Sequence, residues 1–240
     1  ILSNSPRSLH ALWLHLADLV APQDCFVCGA ESAGEAVCRA CACALPHRPQ
    51  TACPCCGLPG LGGGCCAACE RDQPAYDATL ALYDFVFPVD AMVHALKYRH
   101  RLAMASFFGA ALAARAHDFG AQADLVLPMP LHPRRLAERG FNQAVELARP
   151  LARARGLPLG LAVVRKMRDI PAQAGLDREA RLRNPRGVFE CDVSLQGQRV
   201  IVVDDVMTTG ATLGELARTL KRQGASWVGN LVVARTPAPY

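Results

Sequence analysis

With 240 residues and 51% hydrophobic composition, the chain is long enough to bury a full core with room for a small satellite module. Its 26 basic and 21 acidic side chains leave a formal net charge of +5. No run of about 18 or more apolar residues occurs, which excludes a hydrophobic membrane-spanning helix in the sequence.

In chain order, residues 1–22 read as an amphipathic surface helix. Ser5 is its N-cap and Pro6 its first helical residue, and Leu9, Leu12, Trp13, Leu16, Leu19 and Val20 recur at helical spacing. His10, His15 and Asp18 interrupt the apolar run and argue against a secretory signal.

Residues 23–72 read as a double zinc ribbon. Eleven of the twelve cysteines lie between Cys25 and Cys69, crowded at one end of the chain rather than dispersed as a disulfide framework would be. They form four CxxC pairs: Cys25/Cys28, Cys38/Cys41, Cys53/Cys56 and Cys66/Cys69. Two structural Zn²⁺ sites of four cysteines each are the economical account, with disulfides, a redox dithiol or an iron–sulfur cluster as alternatives. Cys43, Cys55 and Cys65 are surplus, and Cys55 or Cys65 is able to substitute for a neighbour in the second site. The segment is rich in Gly and Pro and poor in apolar pattern, so its folding depends on metal, worth about 10–16 kcal/mol per structural zinc. Eight thiolates with two Zn²⁺ carry about −4, which brings the net charge of +5 down to about +1. Bulk basicity is therefore no argument for nucleic acid. Residues 131–190 nonetheless hold 13 Lys or Arg against 6 Asp or Glu, a cluster suited to nucleic acid or to a multiply phosphorylated small molecule.

From residue 76 to 240 the pattern becomes that of an α/β domain. Strands are expected at 78–87, 123–131, 199–203 and 227–235. Helical spacing marks "VDAMVHALKYRH", the Ala-rich residues 102–118, residues 143–155 ending at Gly156, and a helix carrying Leu213, Leu216, Ala217 and Leu220. Strands alternating with helices predict a parallel twisted sheet, whose ligands bind beyond the carboxyl ends of the strands.

That is where "VIVVDDVMTTGAT" (200–212) places its chemistry. Asp204 and Asp205 end a buried strand, and Thr208, Thr209, Gly210 and Thr212 turn into a helix. Backbone N–H groups and hydroxyls at a helix start form an anion cradle. Two carboxylates one ribose-length away suit a pair of vicinal sugar hydroxyls, so the geometry describes a 5-phosphorylated ribose. The plainer alternative is a strand–turn–helix with capping threonines and solvated acids. Neither GxxxxGK[ST] nor GxGxxG occurs, which disfavours an ordinary nucleotide triphosphatase or a Rossmann enzyme.

This segment resembles the phosphoribosyl-pyrophosphate (PRPP) loop of type I phosphoribosyltransferases. The wider chain, from about residue 23 to 236, resembles the ComF family of competence-associated proteins. The resemblance rests on "HALKYRHRLA" (94–103), "LPMPLHPRRLAERGFNQA" (127–144), "QAGLDREARLRNPRGVF" (173–189), the loop and the paired knuckles. One departure is Ile170, where the pattern leads one to expect Thr. The resemblance implies a transferase of the glycosyltransferase class that binds PRPP with Mg²⁺ and passes through a transition state with cationic ribose character. Asp204 and Asp205 would bind the ribose hydroxyls. Val206, Met207, Thr208, Thr209, Gly210, Ala211 and Thr212 would bind the 5-phosphate. Pro128, Met129, Pro130 and Leu131 would form the pyrophosphate loop through the N–H groups of Met129 and Leu131. Arg134, Arg135, Arg139 and Lys97 would stabilise charge on the leaving group. It also implies a cytoplasmic role in natural competence, in which the protein handles incoming single-stranded DNA with DNA-uptake proteins. The alternatives are a non-catalytic PRPP sensor and a DNA-contacting accessory that uses the zinc ribbons and the arginines.

Several residues carry two readings. Lys97 either reaches the pyrophosphate or is a solvated helix lysine; Asn142 and Gln143 either position a ligand or begin a helix. The arginines at 165, 168, 178, 181, 183 and 186 form a closing loop, a solvated face or a DNA surface, although no aromatic interleaving supports base stacking. Met104, Met129, Met167 and Met207 read as packing residues, and His94, His100 and His132 as structural. No segment carries a pattern that identifies a purine, pyrimidine or amine acceptor.

Overall fold

The computed structural model describes residues 24–32, 34–49, 51–59, 64–169 and 187–237. The expected N-terminal helix and the segment with Ile170, Gln173, Arg178, Arg181, Arg183 and Arg186 lie outside them.

The cysteine-rich segment is a tandem repeat. Its cysteine tetrads, Cys25–Cys28–Cys38–Cys41 and Cys53–Cys56–Cys66–Cys69, each bring all four thiols within 4.8 Å of one another, so the pairing is sequential. The halves superpose in chemistry at an offset of 28 residues. The Cys38 N–H donates to Cys25 Sγ and the Cys66 N–H to Cys53 Sγ, both at 3.3 Å. Short helices α1 (Arg39–Ala44) and α2 (Ala67–Arg71) follow the third cysteine of each tetrad.

The larger domain is built on four parallel strands in the order β1-β6-β5-β2: β1 (Ala78–Asp84), β2 (Leu125–Pro128), β5 (Arg199–Met207) and β6 (Trp227–Arg235). An antiparallel pair, β3 (Arg165–Lys166) and β4 (Phe189–Glu190), stands apart. The β-branched run of β5 is buried on both faces, as expected for a central parallel strand. Ile201 and Val203 pack with Phe108, Leu112, Leu147 and Leu151, from helices α4 (Ala103–Arg115) and α6 (Gln143–Arg155). Val200 and Val202 pack on the opposite face with Leu213, Leu216 and Leu220 of α7 (Ala211–Arg222). Helix α3 (Val89–Tyr98) joins the first layer through Met92, Val93 and Leu96. Where α4 crosses α6, a Cβ on Gly109 would lie 2.8 Å from Pro150 Cγ, so the close approach requires glycine.

Several expected boundaries shift. The strand expected at 123–131 covers only 125–128, its last N–H bond to β5 being that of Met129, just before Pro130, which has no N–H; the strand at 78–87 stops at Asp84. The run expected at 199–203 continues to Met207, drawn out by pairing with β6 as far as Arg235. The two acids thus lie within the carboxyl end of a paired strand.

The ribbons cover the outer edge of β1. The N–H groups of Thr79 and Asp84 donate to the Pro54 and Pro46 carbonyls at 2.8 Å, and the Arg48 N–H donates to the Leu82 carbonyl at 2.9 Å. This caps a sheet edge that would otherwise present open hydrogen-bonding groups. The buried Arg48 guanidinium is held by Asp84 at 2.6 Å.

Candidate functional site

Asp205 is 3% exposed, and its Oδ1 lies 2.7 Å from Lys97 Nζ. Its Oδ2 is buried with no hydrogen-bond partner. The reading of Lys97 as a solvated helix lysine is therefore corrected. Helix α3 aims its last turn at the carboxyl end of β5, where an opposite charge awaits. Burial alone would lower the Lys97 pKa, but the charge and hydrogen bond of Asp205 raise it overall.

Asp204 is half-buried and pushed up to about 7, first by desolvation and then by the like charge of Asp205, with Lys97 and Lys166 drawing it back. Lys166 in β3 is displaced downward by burial and held partly up by Asp204 and Asp169. Two acids and two lysines thus share one end of the sheet. Lys166 was not among the sequence candidates, since only the fold brings β3 to this place.

The turn after β5 is set by Gly210, at φ +82°. A Cβ there would stand 2.6 Å from Met207 Cε and 2.8 Å from the hydroxyl of the buried Tyr76. Burial is the first cause that raises the Tyr76 pKa. The Ala211 N–H is held by Thr209 Oγ1 at 3.3 Å. Among the described residues, the N–H groups of Thr208, Thr209, Gly210 and Thr212 meet no protein acceptor at the start of α7. From behind, the buried Arg235 donates to the carbonyls of Met207 (3.1 Å) and Thr208, and on its other side to the Cys56 carbonyl (3.0 Å). One guanidinium thus fastens the turn to the second cysteine-rich repeat. Neither Tyr76 nor Arg235 was legible as a site residue, because both act from outside the motif.

On the facing strand, the Met129 N–H is engaged by the Val203 carbonyl at 2.8 Å. This corrects the expectation that it is available to a ligand. Pro128 and Pro130 have no N–H, so Leu131 carries the remaining donor of the segment, with no acceptor among the described residues. Asn142 begins α6: its Oδ1 accepts from the Ala144 N–H at 2.9 Å, while its Nδ2 donates to the Met129 carbonyl at 3.0 Å. It caps a helix and ties down the 128–131 segment in one contact set. Gln143 is buried and accepts from Arg139.

The three arginines of the motif are less convergent than expected. In α5 (Pro133–Arg139), Arg134 pairs with Glu138 at 3.1 Å, and Arg135 pairs with Asp169 at 3.1 Å and Glu138 at 3.2 Å. Arg139 lies over the Tyr98 ring. Arg165 pairs with Glu190 and Asp192. His132 caps α5 by accepting from the Arg134 N–H, and His94 and His100 stack on Tyr98 and Phe141, all as structural histidines do. Met104, Met129 and Met207 are buried as packing residues, but Met167 is exposed, at the tip of a two-residue strand without a core beneath it.

The thiol chemistry fits zinc. Cys28–Cys38 and Cys56–Cys66 stand 3.9 and 3.7 Å apart. That is close to the roughly 3.8 Å between two thiolates about 2.3 Å from a tetrahedral Zn²⁺. The lone Oδ2 of Asp205 and the raised pKa of Asp204 fit hydroxyl donors or a hard divalent cation beside the pair. No helix among the described residues is long and apolar enough to cross a membrane.

The parallel sheet, with an acid pair and a threonine-rich turn at the carboxyl end of one strand, is that of a type I phosphoribosyltransferase domain. The family model for the phosphoribosyl transferase domain matches residues 136–240. The DNA utilization protein YhgH of Salmonella typhi is 32% identical over 226 residues, covering 91% of this chain and 99% of that protein. Competence protein ComFC of Bacillus subtilis is 28% identical over 215 residues (84% and 85% covered), and competence protein F of Haemophilus influenzae is 28% identical over 168 residues (66% and 73%). The chain belongs to the ComF family of competence-associated proteins: N-terminal cysteine tetrads suited to zinc ribbons, followed by a phosphoribosyltransferase-fold domain.

Proposed function

We propose that the protein binds PRPP with Mg²⁺ at the end of β5 and transfers its phosphoribosyl group. The observation that carries this reading is the acid pair itself: a buried Asp205 oxygen without a partner beside an Asp204 held near neutrality. Vicinal ribose hydroxyls would supply the missing donors. The N–H groups of 208–212 would hold the 5-phosphate, and Leu131 N–H with Lys97 and Lys166 would face the pyrophosphate. Mg²⁺ bound with the ligand beside Asp204 and Asp205 would supply positive charge that offsets the charge of the leaving group. Charge developing on the leaving group is stabilised by donors already in place. Arg135 and Arg139 join them only by exchanging Asp169 and Gln143 for the ligand.

In this reading Asp204 is partly protonated at pH 7 and loses its proton when it accepts a ribose hydroxyl. Binding then strengthens as pH rises towards and through about 7. Calorimetric titration of Mg–PRPP into the zinc-loaded protein tests this. Expected is saturable binding, with an enthalpy that depends on buffer ionisation and so reports proton release. Absence of binding by the parent protein refutes the reading. The names of the relatives, DNA utilization and competence proteins, support a role in DNA utilization or competence; within it we place this activity in the cytoplasmic handling of incoming single-stranded DNA with DNA-uptake partners. Loss of transformation in a strain carrying Asp205→Asn, with normal protein levels, is the corresponding cellular result.

A further inference from the structure

The second cysteine-rich repeat holds two thiols beyond its tetrad, Cys55 and Cys65. At the repeat offset of 28 residues, every ligand of one tetrad matches a ligand of the other, whereas Cys55 and Cys65 match Val27 and Val37. In the first ribbon that pair is apolar, with Val37 buried and Val27 half-buried against the core. In the second, Cys55 and Cys65 bring their sulfurs to 3.1 Å, with Cys65 exposed and Cys55 half-buried.

The spacing separates this pair from the zinc ligands. Two thiolates on one tetrahedral Zn²⁺ stand about 3.8 Å apart, as the tetrad pairs at 3.9 and 3.7 Å do. Cys55 and Cys65 are closer than that, and a movement of about 1 Å brings them to the roughly 2.05 Å of a disulfide. Cys53 lies near enough to complete a three-thiol group with them, but it is fully buried, already accepts the Cys66 N–H and belongs to the tetrad. The tetrad Cys53–Cys56–Cys66–Cys69 is complete without either of them.

We propose that Cys55 and Cys65 form a redox-active dithiol on the zinc-loaded second ribbon, whose co-reactant is a low-molecular-weight disulfide. The exposed Cys65 sulfur, its proton given to solvent, attacks one sulfur of that disulfide. A mixed disulfide forms and one small thiol leaves. Cys55, its own proton lost to solvent, attacks the Cys65 sulfur. The Cys55–Cys65 bond forms and the second small thiol leaves, each leaving thiolate taking up a proton. The protein gives up two electrons, the small disulfide gains them, and excess small thiol reverses the exchange. Zinc does not change oxidation state, and the tetrad thiols take no part.

The experiment equilibrates the zinc-loaded full chain in glutathione/glutathione disulfide mixtures, followed by acid quench, alkylation, peptide mapping and metal analysis. Expected is a Cys55–Cys65 linkage that rises with the disulfide fraction and reverses with excess glutathione, at unchanged zinc content. Cys65→Ser loses the linkage and keeps the parent zinc content. Three results overturn the proposal. One is absence of this linkage at every ratio. Another is linkage of tetrad cysteines with release of zinc. The third is a further metal equivalent in the reduced parent that Cys65→Ser loses, which would make the pair metal ligands.

Discussion

Asp204→Asn and Asp205→Asn are the same chemical change one residue apart, and the structure gives them opposite effects on stability. Asp204 is raised from 3.8 to about 7 in the folded protein. Between those values the folded state holds a proton that the unfolded state has released, so stability falls as pH rises from about 4 and levels off above about 7. A neutral Asn removes that cost. At about 1.4 kcal/mol per pK unit, discounted because Asp205 shares the titration, Asp204→Asn stabilises by about 2–4 kcal/mol at pH 8, and by less near pH 5. The amide oxygen still accepts the Asp205 N–H, now bonded at 2.9 Å. Asp205→Asn leaves Lys97 without the carboxylate at 2.7 Å and destabilises by about 2–4 kcal/mol. Thermal unfolding of zinc-loaded protein reads both, at roughly 2–4 °C per kcal/mol for a chain of this size. Both variants lose Mg–PRPP binding. The reasoning is refuted if Asp204→Asn lowers stability at pH 8, or if Asp205→Asn leaves it unchanged.

Other consequences follow from single contacts. Gly210→Ala forces a Cβ onto Met207 and Tyr76 at positive φ; it should cost about 1–3 kcal/mol in urea unfolding and abolish Mg–PRPP binding. Arg235→Met leaves the Cys56, Met207 and Thr208 carbonyls without their buried donor; it should destabilise by about 3 kcal/mol and weaken Mg–PRPP binding about tenfold or more by calorimetry. Asn142→Ala removes the α6 cap and the Met129 tether, at a cost of about 1–2 kcal/mol by the same unfolding assay. Chelation of zinc should lower the unfolding temperature of the whole chain, seen by circular dichroism of the helices, since the ribbons cap the β1 edge.

Periodicity and turn chemistry made the strands, the helices and the acid–threonine turn legible, because each is written in contiguous residues. The β-branched run 200–203 announces a strand buried on both faces, and Gly210 announces its turn. Contributions that depend on tertiary approach were not legible. Lys97 looks like any lysine on an amphipathic helix until α3 is laid against β5. Tyr76, Lys166 and Arg235 lie away from the motif in sequence and reach it only through tertiary packing, Arg235 by the order of the sheet. The Met129 N–H looks available until parallel pairing of β2 with β5 engages it. The extent of β5 was misjudged for a related reason: two adjacent acids read as the end of a strand, but β6 continues the ladder past them.

If the turn at 206–212 seats the ribose 5-phosphate, its amides are the atoms that ligand protects. Amide hydrogen exchange of the zinc-loaded protein with and without Mg–PRPP tests it at the atoms concerned. Slowed exchange is expected at Thr208, Thr209, Gly210 and Thr212, with a further protected amide at Leu131. Mg-pyrophosphate alone should protect Leu131 but leave the turn unchanged. Saturation with Mg–PRPP that leaves the turn amides exchanging as before, or protection confined to other surfaces, would contradict it.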